Sequence, residues 1–167
     1  MSRLDGQKVV NAKTIKNHLL HYYRFDRGFY YLATEWMDCD LVVFDHRTNV
    51  LVEIEVKMSW DDYKADFSKR KYQYSGERYE GYRLGQGVSP HLKYFAAPDT
   101  LAIRILGNIV EKSLPFGVIR VSDQGPFVTI ARRAKRLRFG GVDENAIRSI
   151  ISRMSSELVT LRRQVRS

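Results

Sequence analysis

The chain has 167 residues, 44% of them hydrophobic and 12% aromatic, with a net charge of +9 and a pI near 9.7. That length suits one domain with its own core, and the composition excludes a disordered chain as the starting expectation. Cys39 is the single cysteine, which excludes an internal disulfide framework and a cysteine zinc cluster.

No apolar run reaches the length of a membrane span, so no membrane partner is expected. The N-terminal MSRLDGQKVVNAK lacks an apolar segment followed by small residues, so no secretory signal is expected. With one cysteine, this fits a reducing, cytoplasmic (intracellular) setting. The charge is uneven: residues 101–167 hold 13 Lys/Arg against 5 Asp/Glu, whereas residues 1–100 are nearly balanced. A basic half joined to a carboxylate-bearing half suits a polyanionic partner such as DNA, with RNA an open alternative.

In chain order, AKTIKNHLLHYYR (12–24) has Ile15, Leu19, Tyr22 and Tyr23 at helical spacing, with Asn11 as its cap. FYYLATEW (29–36) reads as a strand. Two more strands follow at about 41–45 and 50–57, joined by HRTN. Ser59 to Asp62 resembles a capping box, and Trp60, Tyr63, Phe67 and Tyr74 predict a helix over 59–74. Residues 75–90 are glycine-rich and predict a long loop. LKYFAAP (92–98) predicts a strand and residues 99–113 a helix. Two short strands follow at 116–122 and 126–132. A last helix is expected at 143–164. Its stripe of Ile147, Ile150, Ile151, Met154, Leu158 and Leu161 serves the core or, alternatively, a homodimer interface. The order predicts a single α/β domain over 1–167, its core at about 12–122 and a basic C-terminal extension at 123–167. The sheet is mixed, flanked by helices, and starts with an antiparallel meander.

The chemistry concentrates in DLVVFDHRTNVLVEIEVK, Asp40 to Lys57. If Asp45 pairs with Val50 across the turn, Asp40 lies opposite Glu55 and Asp38 opposite Lys57. Alternation then puts Asp38, Asp40, Glu53, Glu55 and Lys57 on one face. Opposed carboxylates repel unless a cation lies between them, and a hard divalent ion with oxygen ligands resolves this. Mg²⁺ (or Mn²⁺) held by Asp40, Glu55 and the Val56 carbonyl, with Lys57 beside it, suits phosphodiester hydrolysis. Glu35, Asp38 and Glu53 are outer-shell candidates. The competing reading is a solvated strand face. A one-residue change of register would abolish the proposed pairing.

Asp40, an apolar strand and Glu55-Val56-Lys57 together resemble the PD-(D/E)XK nuclease signature. Within that superfamily the chain is most similar to the MmcB-like DNA-repair family, through DLVVF, VEIEVKMS, DYKADFSK, KYFAAP and FGVIRV. The resemblance implies a restriction-endonuclease-like αβββαβ core with an added C-terminal hairpin and helix. It implies Asp40 and Glu55 as metal ligands and Lys57 as the catalytic lysine. Its consequence is a metal-dependent DNA nuclease in repair, recombination or phage-related processing; the alternative is a binding module that keeps the fold without turnover. Cys39 stands where the family often has proline, and no Q-x-x-x-Y element follows Gln73.

Further basic residues are candidates for phosphate contact. They are Lys69 and Lys71 after the site, Arg78 and Arg83 in the glycine-rich loop, and Arg132, Arg133, Lys135 and Arg136 in RRAKRLR. Asp66 reads as part of a solvated helix face, paired with Arg70 at i,i+4. The four histidines are scattered and predict structural or exposed roles.

Overall fold

The computed structural model of the chain describes residues 10–69, 88–122, 124–125 and 127–165. Helix α1 (Ala12–His21) starts at Asn11, whose side chain accepts from Thr14 N. It passes directly into a π-helical turn over Tyr22–Asp26. Strands β1 (Tyr31–Trp36), β2 (Cys39–Asp45) and β3 (Val50–Val56) then form the predicted meander. Helix α2 (Trp60–Asp66) is capped by Ser59, which accepts from Asp62 N. Strand β4 (Leu92–Pro98) leads straight into helix α3 (Asp99–Glu111). Strands β5 (Gly117–Val121) and β6 (Val128–Arg132) and the long helix α4 (Glu144–Val165) complete the chain.

The six strands make one mixed sheet in the order β1-β2-β3-β4-β5-β6. β3, β4 and β5 run parallel, and the remaining neighbours are antiparallel. Every residue of β3 is buried, so the strand has no solvated face. That overturns the competing sequence expectation, and the charges on β3 are therefore core residues. One face of the sheet packs Val42, Phe44, Leu51, Phe95 and Val118 under Tyr63 of α2, Ala102, Ile105 and Ile109 of α3, and Ile150 of α4. The other face packs Val43, Val52, Ile54 and Ala96 under Ile15 and Leu19 of α1. Each such side chain contributes about 1.5–3 kcal/mol by leaving water.

Helix α4 has a second task. β1 is an edge strand, and the Thr34 peptide on that edge is taken up by α4 side chains. Thr34 N donates to Glu157 Oε1 at 2.9 Å, and Arg153 Nε donates to Thr34 O at 3.0 Å. An edge covered in this way is no longer a template for another strand. The stripe predicted on α4 is divided: Ile150 is buried and Ile147 and Met154 pack partly buried against the core, Ile151 and Leu158 are exposed, and the Leu161 side chain lies outside the described residues.

Helix α2 ends at Asp66, short of the predicted 74; Phe67 caps it and turns follow to Ser68. Tyr74 lies outside the described residues, as does most of the predicted loop. His91 is structural. It is fully buried, its Nδ1 accepts from Leu51 N at 3.0 Å, and its Nε2 meets Gly140 O at 2.7 Å. No helix among the described residues is long and apolar enough to cross a membrane.

Gly117 marks a close approach. A Cβ there would lie 2.3 Å from the Tyr94 ring and 2.8 Å from Ala134 N. The Tyr94 ring is itself buried, and the backbone nitrogen cannot move aside. Gly117→Ala is therefore expected to lose about 1–3 kcal/mol of stability, read as a lower urea midpoint with an unchanged m-value.

Candidate functional site

The β2–β3 turn sets the register. Asp45 pairs with Val50, and the ladder continues to Leu41 opposite Ile54. One further step brings Asp40 level with Glu55, and Asp40 Oδ2 accepts from Val56 N at 2.8 Å. The hairpin arithmetic read from the sequence thus holds for Asp40. It fails for Asp38, because Trp36 already pairs with Cys39 and leaves Asp38 in the tight turn between them. Asp38 borders the same cleft from the turn, not as a strand partner of Lys57.

The cleft has a volume of about 420 Å³ and gathers Glu35, Asp38, Asp40, Glu55, Val56, Lys57, Asp62 and Lys69. Glu35 faces it with a left-handed φ of 48°, and Met37 in the turn has φ 53°. Two non-glycine residues in that region, two positions apart, represent strain of about 1–3 kcal/mol each. Lys16 of α1 reaches in from the opposite side. Its ammonium contacts Glu35 and lies 2.9 Å from Asp40 Oδ1. Burial alone would lower the Lys16 pKa, but the Glu35 and Asp40 carboxylates outweigh it and raise the value.

Beneath the cleft lies a buried charge cluster. Glu53, Glu55, Asp66, Lys57 and Lys93 are all at most 2% exposed. Lys57 Nζ lies 2.9 Å from Asp66 Oδ1 and 3.4 Å from Glu55 Oε2. Lys93, paired in register with Glu53 on the adjacent parallel strand, donates to Glu53 Oε1 at 2.7 Å and lies 3.9 Å from Asp66 Oδ2. Lys69 closes the cluster at the surface, in contact with Asp66 and 3.7 Å from Glu55 Oε2.

One sequence expectation needs correction here. Asp66 is not on a solvated face: it is fully buried at the centre of the cluster, because it shares α2's inward side with Tyr63. Arg70, its expected partner, lies outside the described residues. Glu53, an outer-shell candidate, does not itself line the cleft; its register opposite Lys93 places it in the interior behind it. Lys93 and Lys16 were missed altogether. For Lys93 the available signal was alternation in LKYFAAP, which puts it on the face of Phe95. For Lys16 it was its place one residue after the inward Ile15.

The basic candidates divide. Lys69 lines the cleft, whereas Lys71, Arg78 and Arg83 lie outside the described residues. The run from Arg132 is elsewhere. Lys135 N bonds Pro115 O, Leu137 N bonds His91 O, and Arg132 Nη2 bonds Leu114 O. These anchors lie at the starts of the parallel strands, whereas Glu55 and Lys57 are at the end of β3. At about 3.3 Å per residue the two regions are roughly 15–20 Å apart. The structure does not bring Arg132, Arg133, Lys135 and Arg136 to Asp40.

Among the described residues, no group of three or more His, Cys, Asp or Glu side chains is arranged to hold a metal ion. The cleft carries five carboxylates, on Glu35, Asp38, Asp40, Glu55 and Asp62, against the ammoniums of Lys57 and Lys69, with Lys16 reaching Glu35 and Asp40. Asp40 and Glu55, with the Val56 carbonyl between the strands, offer oxygen donors. The Asp40 oxygens are engaged by Lys16 and the Val56 peptide, and Glu55 Oε2 faces Lys57 and Lys69, so a divalent ion at this point would have to displace the Lys16 ammonium.

No family model matches the chain, and no curated protein matches it. A solved structure, a protein of unknown function from Silicibacter pomeroyi, is similar, with a TM-score of 0.61, 13% identity, and coverage of 96% of this chain and 94% of that one. At this identity the likeness shows the fold alone.

Asp66 provides the first test of the cluster. Burial opposes its ionisation, but the ammoniums of Lys93 and Lys57 and hydrogen bonds from Lys57 and Lys69 overcome this and hold its carboxyl well below the usual range. Below about pH 4 the unfolded chain binds a proton that the folded Asp66 refuses, so its contribution is full above that pH and is lost as the pH falls further. Asp66→Asn is expected to cost about 3–5 kcal/mol at neutral pH by urea unfolding and to flatten the stability loss in acid.

Proposed function

We propose that the chain is a metal-dependent nuclease of the restriction-endonuclease-like type, hydrolysing phosphodiester bonds in DNA. The observation that carries this reading is the strand register. It fixes Asp40 against the Val56 peptide and thereby assembles Asp40, Glu55 and Lys57 in one cleft. The order α1-β1-β2-β3-α2-β4, with β3 parallel to β4, supports it, because this is the αβββαβ arrangement expected from the sequence resemblance.

In this reading Asp40 and Glu55 hold Mg²⁺ or Mn²⁺ with the Val56 carbonyl. A bound divalent ion would polarise a phosphate oxygen and lower the pKa of a water ligand. Lys57 is held by Asp66 and Glu55 on a rigid strand end, so its ammonium is oriented in advance to position water or to meet charge developing on phosphorus. Lys69, about half exposed, is placed to contact a phosphate entering over Glu55. The five cleft carboxylates repel a phosphodiester, so binding requires added positive charge, which the divalent ion provides.

One observation favours the second reading, a nucleic-acid-binding module without turnover: Lys16 occupies Asp40 Oδ1. A fixed ammonium there would take the place of the metal.

Two measurements separate these readings. In a panel of structured DNA substrates with Mg²⁺ or Mn²⁺, Glu55→Gln and Lys57→Met are each expected to lower cleavage by about 10²–10³-fold while DNA retention persists. Equal cleavage by wild type and both variants rules out this site. In a Mn²⁺ titration followed by electron paramagnetic resonance, Lys16→Met is expected to bind Mn²⁺ several-fold more tightly than wild type. No Mn²⁺ binding by either protein favours the module without turnover.

A further inference from the structure

On the sheet face opposite the carboxylates lies a second cleft, of about 580 Å³. Strand alternation separates the two: Val50, Val52 and Tyr94 point to this side, whereas Leu51, Glu55 and Phe95 point to the other. It also lies at the opposite end of the strands, beside the β2–β3 turn that begins at Asp45. Its volume is within the range of small-ligand sites, about 300–1,000 Å³, and accommodates a nucleoside monophosphate.

The lining has two chemical parts. The aromatic part is Tyr22, Tyr23, Phe29 and Tyr94. Tyr22 and Tyr23 are consecutive, and both reach the cleft from the π-helical turn, an irregularity found often at functional sites. The cationic part is Arg27, Arg133 and Arg136, all exposed and arriving from two separate chain segments. Arg136 Nε donates to Arg138 O, and its guanidinium lies 5.5 Å from the centroid of the Phe139 ring. The lining acid, Asp45, is already engaged by Thr48 Oγ1 at 2.7 Å and by Arg47. The mouth is therefore strongly positive, and the wall behind it is aromatic.

We infer that this cleft binds a nucleotide, its base against Tyr22 and Tyr94 and its phosphate against Arg133, Arg136 and Arg27. Aromatic rings accept any base by stacking, for about 1–3 kcal/mol. Guanidinium groups match phosphate oxygens in paired hydrogen bonds. The site is independent of the proposed nuclease chemistry: it contains no candidate metal ligand and lies across the sheet from Glu55. It also gives the basic run at 132–136 a ligand that the carboxylate cleft does not. The nucleotide has two possible sources, a free mononucleotide or the phosphorylated end of a single strand, and they share this chemistry.

The test uses the full chain and calorimetric titration with AMP, adenosine and inorganic phosphate. AMP is expected to bind at least tenfold more tightly than either fragment. Arg133→Ala/Arg136→Ala is expected to weaken AMP at least tenfold, and Tyr94→Leu to weaken AMP and adenosine alike. Both arginines are exposed, so the double variant should keep the wild-type circular dichroism and urea midpoint. Asp40→Asn/Glu55→Gln should bind AMP like wild type, which keeps the result separate from the fate of the nuclease reading. Competition of AMP by a 5′-phosphorylated oligothymidylate assigns the strand end; binding of AMP without competition assigns the free nucleotide. Absence of AMP binding at millimolar concentration overturns the inference. So does equal AMP binding by the arginine double variant, or loss of AMP binding in the carboxylate variant alone.

Discussion

Five charged side chains are buried where the sheet meets α2, and much of the architecture follows from keeping them together. Moving one such ion from water into the interior costs several kcal/mol, so none of the five is stable there alone. Glu53 requires Lys93, which requires β4 to lie parallel to β3 in a single register. Asp66 faces Lys57 and Lys93 together, which requires the first turn after β3 to swing α2 back over the strand. The Ser59 cap and the ring contacts of Tyr63 with Phe95 make that path the favourable one. A helix slid by one turn would take the Asp66 carboxylate away from both Lys57 and Lys93. A purely apolar interface of this size could have been more stable, so the cluster is better understood as fixing one arrangement than as adding strength.

The fixed arrangement has a consequence at the surface. Glu55 and Lys57 are the outermost members of the cluster on β3, and their side chains cannot relax without disturbing Asp66. Asp40 is held from below by the Val56 peptide. The cleft therefore has a rigid floor, whereas its other wall is a tight turn with left-handed backbone at Glu35 and Met37 and a lysine extended from α1. Rigid donors and a strained, adjustable rim are a combination suited to chemistry on a bound ligand.

The meander and the Asp40–Glu55 juxtaposition were legible because each depends on local rules: alternation and a four-residue turn. The strand register needed only one pairing, Asp45 with Val50, and every later pair followed. Asp38 escaped because a two-residue turn between Trp36 and Cys39 consumes it, and nothing in WMDCD announces a left-handed methionine. Asp66 and Lys93 escaped for a different reason. The partner of Lys93, Glu53, stands 40 residues earlier across a crossover, so alternation gives its face but not its partner; Asp66 turns inward to Lys57 because α2 folds back over β3, which helical spacing alone does not show. Taken locally, an aspartate four residues before an arginine is an ordinary surface pair. The placement of RRAKRLR likewise depends on the sheet order, which puts the end of β6 beside the starts of β4 and β5.

Net charge alone would have led to a different view of the candidate site. The chain carries +9, yet the cleft around Asp40 has an excess of carboxylates, and the arginines of the C-terminal segment face another part of the molecule. A polyanion drawn by the global field does not on that account reach Asp40: within the low-dielectric cleft the local balance outweighs distant charge, which is screened beyond about 8–10 Å in physiological salt. The positive charge that admits a phosphate must therefore be local. Lys57 and Lys69 supply part of it, and the remainder falls to whatever cation faces Asp40. In this structure that cation is the Lys16 ammonium, 2.9 Å from Asp40 Oδ1, and under the proposed function a divalent ion would have to displace it.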